Sequence, residues 1–114
     1  MGFFSNLFGG NEDAEPIEAV DLSNAVRKAC RIVGRVQGVG CRFFVQSNAK
    51  NYKVTGWVKN MSDGAVTMEL QGDAQSVDKL IAKIKLGNDW IKVNECEVND
   101  LPVVANENTF AIRY

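Results

Sequence analysis

The chain has 114 residues, of which 46% are hydrophobic and 24% are charged, with a formal net charge of -1 at pH 7. This length suits one globular domain with one core, and the near-neutral charge does not favour a nucleic-acid-binding protein. The sequence has no histidine and three cysteines without metal-ligand spacing, which excludes histidine-activated nucleophiles and predicts a reduced, cytoplasmic protein with no metal or other cofactor.

Residues 1–28 are predicted to form a flexible tail outside the folded domain. Residues 1–10 place large apolar side chains at helical spacing before two glycines, and residues 11–18 are rich in acidic side chains. A secretory signal needs a basic start and a longer apolar core, and a membrane span needs about 20 apolar residues. The sequence therefore predicts no membrane span. The alternative is that the apolar segment docks on a partner or a membrane surface.

A glycine-rich connection follows, between a predicted strand at residues 29–36 and a predicted helix at residues 42–52. Gly38 and Gly40 can adopt positive φ, and they carry no Cβ that would block a ligand. Such a turn directs backbone N–H groups at one point beside the positive end of the helix, where Arg42 adds a planar cation. These features predict an anion-binding site. The glycine spacing matches neither the dinucleotide nor the nucleotide-loop fingerprint, and a purely structural turn is the alternative.

The rest of the chain continues with alternating strand and helix signals. An Asp-Gly pair predicts a hairpin turn, Asp73 predicts the cap of a second helix, and Gly87 predicts its end. The remaining strands are predicted at residues 54–60, 65–71, 91–98 (with a bulge) and 109–114. This order predicts an α+β fold, the ferredoxin-like split β-α-β sandwich, with an antiparallel sheet of four to five strands and two helices on one face.

Residues 34–42 read GRVQGVGCR, residues 56–60 read GWVKN and residues 110–114 read FAIRY. With the Asp63-Gly64 turn between them, these motifs closely resemble the acylphosphatase family. The resemblance implies an acylphosphatase-like domain over residues 29–114. It also implies a hydrolase that cleaves the carboxyl-phosphate bond of acyl phosphates without a metal.

The resemblance also implies the roles of individual residues. Phosphate would be held by a backbone loop and by Arg42, and Asn60 would position the attacking water. The implied phosphate-binding residues are Gln37, Gly38, Val39, Gly40, Cys41 and Arg42. Cys41 stands where the family usually has an aromatic residue, and without a base to activate it we interpret it as a packing thiol.

The chemistry of acyl phosphates fits a chain without histidine. The leaving carboxylate is the base of a moderately strong acid, so no general acid has to protonate it, and catalysis depends on positioning and charge. The expected partners are the acyl phosphate and inorganic phosphate, the latter as product and inhibitor, and the protein is expected to be a monomer. One alternative is a non-catalytic anion-binding or regulatory module. A single-stranded RNA binder is disfavoured by the charge and by the missing aromatic motifs.

Overall fold

Five strands and two helices make up the described part of this computed structural model, which covers residues 16–17 and 22–114. The apolar segment at residues 1–10 lies outside the described residues. In chain order the elements are β1 (Ala25–Arg35), α1 (Cys41–Asn51), β2 (Thr55–Asn60), β3 (Val66–Asp73), α2 (Ala74–Leu86), β4 (Lys92–Leu101) and β5 (Phe110–Arg113).

The two helices contact each other and cover one face of the sheet. Residues two apart in a strand share a face, so Cys30 and Ile32 of β1 and Met68 and Leu70 of β3 are buried beneath the helices. Side chains of the size of Ile32, Met68 and Leu70 each stabilise the fold by about 1.5–3 kcal/mol when they are fully buried. In the described part of the chain, neither helix is long and apolar enough to cross a membrane. The two-layer α+β architecture predicted from the sequence is confirmed.

The sheet has the strand order β4-β1-β3-β2-β5. Three of its strand pairs are antiparallel, but β5 pairs with β2 in parallel, from Gly56↔Phe110 to Lys59↔Arg113. The sheet is therefore mixed, and the prediction of a purely antiparallel sheet was wrong in this pair. The reason lies in residues 102–109, which lead from β4 at one edge of the sheet to β5 at the other. This connection brings β5 into the sheet at the end where β2 begins.

Strand β1 begins at Ala25, four residues before the predicted start, because Ala25 and Val26 pair with β3 and the next two residues pair with both β3 and β4. The predicted bulge in β4 is confirmed. Val33 pairs with Glu95 and Gly34 with Val93, so Asn94 is the extra residue. The bulge lets Val93 and Cys96 both pack against the core although they lie three residues apart.

We call the end of the sheet where β1 and β2 finish the upper end, and the end where they start the lower end. The lower end is closed by a hydrogen-bonded network around Arg27, whose side chain is only 4% exposed. Its guanidinium donates to Glu69 at 2.8 Å, to both carboxylate oxygens of Glu107 at 2.9 and 3.1 Å, and to Gln71 at 3.1 Å. Burial alone would lower the pKa of Arg27, but the hydrogen bonds and charges of Glu107 and Glu69 raise it instead. This network fixes residues 102–109 to the sheet.

Candidate active site

The loop from β1 to α1 crosses the upper end of the sheet. Gly38 has φ 73° and Gly40, the N-cap of α1, has φ 77° and ψ 19°. A Cβ built at either glycine meets no atom within 4 Å, so glycine is needed there for its left-handed conformation and not for lack of space. No side chain caps α1 and none in its first turn is acidic, within the described residues. The first N–H groups of α1 thus remain available to an anion at the positive end of the helix.

Arg42 and Asn60 lie at the same cavity at this upper end. The cavity is small, about 130 Å³, and is lined by Val36, Gly38, Gly40, Cys41, Arg42, Phe43 and Asn60. Arg42 comes from the first turn of α1 and Asn60 is the last residue of β2. Two residues that stand 18 positions apart in the sequence are therefore brought together by the loop and the strand end.

The guanidinium of Arg42 is held by an aromatic ring. Its Cζ lies 4.7 Å from the centroid of the Tyr114 ring, a cation–π distance. Among the residues that the structure describes, the Arg42 guanidinium has no carboxylate partner within salt-bridge distance. Its N–H donors therefore remain available for a ligand.

The side chain of Asn60 carries a buried oxygen that lacks a partner. Asn60 Oδ1 is buried and accepts no hydrogen bond from any described residue. Leaving such a group unsatisfied costs about 1–3 kcal/mol, and buried polar atoms in native proteins are normally paired with protein or water. An oxygen of this kind at the wall of a cavity fits the binding of a water or a ligand N–H or O–H group.

The turn after Asn60 is tied to the glycine loop. Gln37 Nε2 donates to the carbonyl oxygens of Met61 at 2.7 Å and Ala65 at 2.9 Å. Within the turn, Ala65 N–H donates to Asp63 Oδ1 at 3.0 Å, and this bond, together with an ion pair to Arg31, lowers the pKa of Asp63. The two hydrogen bonds from Gln37 thus hold the turn that follows Asn60 against the glycine loop.

Five of the seven predicted site residues line the cavity. The other two have their side chains elsewhere: Gln37 is bonded to the turn, and Val39 packs against the core. The sequence reasoning missed Val36 and Phe43 as lining residues. Phe43 carried a usable signal, because it follows Arg42 directly and lies off the buried stripe of α1.

Cys41 lies in the cavity wall as a core residue that is 2% exposed. Burial raises the pKa of its thiol to about 11, so the group is neutral at physiological pH. A neutral thiol is a poor nucleophile, and this supports a packing role. Within the described residues no cluster of three or more histidine, cysteine, aspartate or glutamate side chains offers a metal site.

Comparison with known proteins now decides the family. A family model described as acylphosphatase matches residues 28–112. The chain belongs to the acylphosphatase family. An acylphosphatase of Clostridium acetobutylicum is 42% identical over 88 residues, which cover 77% of this chain and 97% of that protein.

Solved structures of acylphosphatases share the fold. The crystal structure of the Bacillus subtilis acylphosphatase matches with a TM-score of 0.74 and 34% identity over 78% of this chain and 99% of that one. An acylphosphatase structure from Coxiella burnetii matches with the same TM-score of 0.74 and 30% identity over 80% of this chain and 95% of that one. The family resemblance seen in the motifs is therefore confirmed, together with the ferredoxin-like fold.

Proposed function

We propose that this chain is a metal-independent acylphosphatase, which hydrolyses acyl phosphates at the cavity of the upper end. One observation carries the proposal. A single cavity brings together an arginine, the N–H groups of a helix start and the Oδ1 of Asn60, and none of these groups has an acidic, capping or hydrogen-bonding partner among the described residues. Membership of the acylphosphatase family supports an acyl phosphate as the anion that binds there.

The phosphoryl group binds to the glycine loop and to Arg42. The backbone N–H groups at the start of α1 and the guanidinium are the donors that suit its three non-bridging oxygens. The positive end of α1 adds favourable electrostatics for a dianion. Because these donors are fixed by the fold before substrate arrives, little reorganisation is needed when charge shifts in the transition state.

Asn60 positions the attacking water. Its Oδ1 accepts one O–H of the water, which satisfies the buried oxygen and directs a lone pair at phosphorus. As the new P–O bond forms, the P–O bond to the acyl group breaks and the carboxylate leaves with the electron pair. One proton of the water stays on the attacking oxygen and the other passes to a phosphoryl oxygen, so the products are a carboxylate and dihydrogen phosphate. No side chain has to give or take a proton.

Three further properties belong to this proposal. Inorganic phosphate, which carries the same oxygens as the bound phosphoryl group, acts as a competitive inhibitor. The enzyme works as a monomer, since each group named above comes from one chain. The protein acts in the cytoplasm, where its three cysteines stay reduced.

Turnover of benzoyl phosphate and acetyl phosphate, before and after prolonged chelator treatment, tests the proposal. We expect hydrolysis that chelation leaves unchanged and that inorganic phosphate inhibits competitively. Activity that chelation abolishes and one divalent ion restores would overturn the metal-free mechanism. Binding of phosphate without turnover of either substrate would instead support the non-catalytic anion-binding module.

A further inference from the structure

We propose that Phe43 forms the surface on which the acyl group of the substrate packs, and that it selects flat apolar acyl groups. The inference rests on the proposed function, because it names the class of substrate for the same site. Neither core packing nor phosphate binding explains the position of the Phe43 side chain. Phe43 lines the cavity beside Arg42, and its side chain is 53% exposed.

The packing of α1 does not require an aromatic residue at position 43. The buried side of the helix is formed by Cys41, Val45 and Ala49, which recur at the four-residue spacing of one helix face. The neighbouring Phe44 packs against the core. Phe43 points away from that face, so its ring lies at the surface where a smaller or polar residue would serve the fold equally well.

The size of the cavity places the acyl group at its mouth. Pockets that enclose a whole organic ligand have volumes of about 300–1,000 Å³, whereas this one has about 130 Å³. It accommodates the charged head of an acyl phosphate and the attacking water, and the carbon skeleton then lies outside it. The other apolar side chains of the lining, Val36 and Cys41, are 1% and 2% exposed and offer almost no surface there.

Among the described residues that line the cavity, Phe43 is the one whose side chain presents a large apolar surface at this mouth. A benzoyl group can stack on it in an offset or edge-to-face arrangement, and such aromatic pairs contribute beyond their buried area. An acetyl group carries one methyl group and gains little from the ring. The Tyr114 ring also lies at this end, but one of its faces is in contact with the Arg42 guanidinium and it does not line the cavity. The geometry thus assigns selection of the acyl group to Phe43 and binding of the phosphate to Arg42 and the loop.

The direct test is the ratio of kcat/KM for benzoyl phosphate to kcat/KM for acetyl phosphate. We expect Phe43→Ala to lower this ratio about tenfold, as the loss of one stacked ring predicts, and Phe43→Tyr to keep it. Trp90→Ala is the matched control, since Trp90 is 68% exposed and does not line the cavity. It should leave the ratio and both rates unchanged. A ratio that is the same in wild type and Phe43→Ala, in an enzyme that hydrolyses both substrates, overturns the inference while the proposed function stands.

A binding experiment tests the role of Phe43 in a second way that does not depend on turnover. Benzylphosphonate and methylphosphonate carry the anionic head and differ in the ring, and their dissociation constants can be measured by calorimetry. We expect wild-type protein to bind benzylphosphonate about tenfold more tightly than methylphosphonate, and Phe43→Ala to bind the two with similar affinity. Equal affinities in the wild type would overturn the inference. Absence of turnover together with a ring preference would overturn the proposed function alone.

Discussion

Two arginines at opposite ends of the same sheet are used in opposite ways. Arg27, at the lower end, is 4% exposed and donates to two carboxylates and an amide of the protein. Arg42, at the upper end, rests on the ring of Tyr114 and has no carboxylate partner among the described residues. Guanidinium groups have the same chemistry in both places. What differs is whether side chains of the protein accept hydrogen bonds from the guanidinium N–H groups.

The difference extends to the groups around each arginine. A cavity of about 400 Å³ at the lower end is larger than the one beside Arg42, yet its Thr55, Gln71 and Glu107 already hydrogen-bond one another or their neighbours. At the upper end the helix start is uncapped within the described residues and Asn60 Oδ1 has no partner. Unsatisfied donors and acceptors, not cavity size, therefore identify the candidate site. If this contrast is correct, changes at the upper end reduce catalysis and changes at the lower end reduce stability.

The largest effect is expected for Arg42→Lys, which should lower kcat/KM for an acyl phosphate about 10³-fold. Lysine keeps the charge but not the planar fork of donors that fits two phosphoryl oxygens. Because the Arg42 guanidinium has no carboxylate partner within the described residues, the melting temperature should change little. Steady-state kinetics, phosphate inhibition and thermal unfolding check this together. Near-wild-type kcat/KM and phosphate affinity would show that charge alone suffices.

Arg27→Met should have the opposite effect: it should lower the stability of the fold and leave catalysis unchanged. Removing the buried cation leaves the Glu69 and Glu107 carboxylates without their partner, which costs about 3–5 kcal/mol of unfolding free energy. Where the variant is folded, its kcat should match the wild type. The matched control is Lys28→Met, because the Lys28–Asp100 ion pair joins a carboxylate that is 85% exposed and therefore contributes little to stability. Denaturant unfolding measures the stability of both variants. Equal losses of unfolding free energy would contradict the structural role assigned to Arg27.

Asn60→Ala separates binding from positioning. If Asn60 only orients water, kcat should fall about 100-fold, which is roughly 2.7 kcal/mol of transition-state stabilisation, while the inhibition constant of phosphate changes by less than about threefold. Since the substitution also removes a buried acceptor without a partner, stability should not fall. Asn60→Asp should weaken phosphate binding as well, and more so at low salt, because it places a negative charge beside the anion. If Asn60→Ala weakens phosphate binding by the same factor as it slows turnover, Asn60 is one of the phosphate ligands.

Much of the upper end could be predicted because its signals are local. Gly38 and Gly40 mark the turn, Arg42 follows it, and an Asp-Gly pair marks the hairpin after Asn60, whose role was implied only by the family resemblance. The structure places Arg42 and Asn60 at one cavity. The side chain of Gln37 could not be placed from sequence, because its partners are backbone carbonyls 24 and 28 residues away.

The lower end was harder to predict because its signals are not local. In the sequence, Arg27 and Lys28 resemble polar residues just outside a strand. Their carboxylate partners, which lie in distant parts of the chain, help to explain why both residues belong to β1. The parallel pairing of β5 depends in the same way on the path of residues 102–109, which no local pattern reveals. Phe43 was overlooked although its place directly after Arg42 and off the buried stripe of α1 was a usable local signal; the cavity beside it gives that signal its meaning.

The smallest effect concerns how Arg42 is held. Its guanidinium carbon lies 4.7 Å from the Tyr114 ring centroid, and Tyr114 is 73% exposed. A cation–π contact at an exposed site contributes about 0.5–1 kcal/mol, so Tyr114→Leu should raise KM about two- to fivefold. Because the ring restricts Arg42 without touching the reacting atoms, kcat should change less than KM. Tyr114→Phe keeps the ring and should keep the wild-type KM. If both variants raise KM equally, the Tyr114 hydroxyl group and not its ring orients Arg42. The arginine at the upper end would then have a polar partner within the protein, which contradicts the contrast with Arg27.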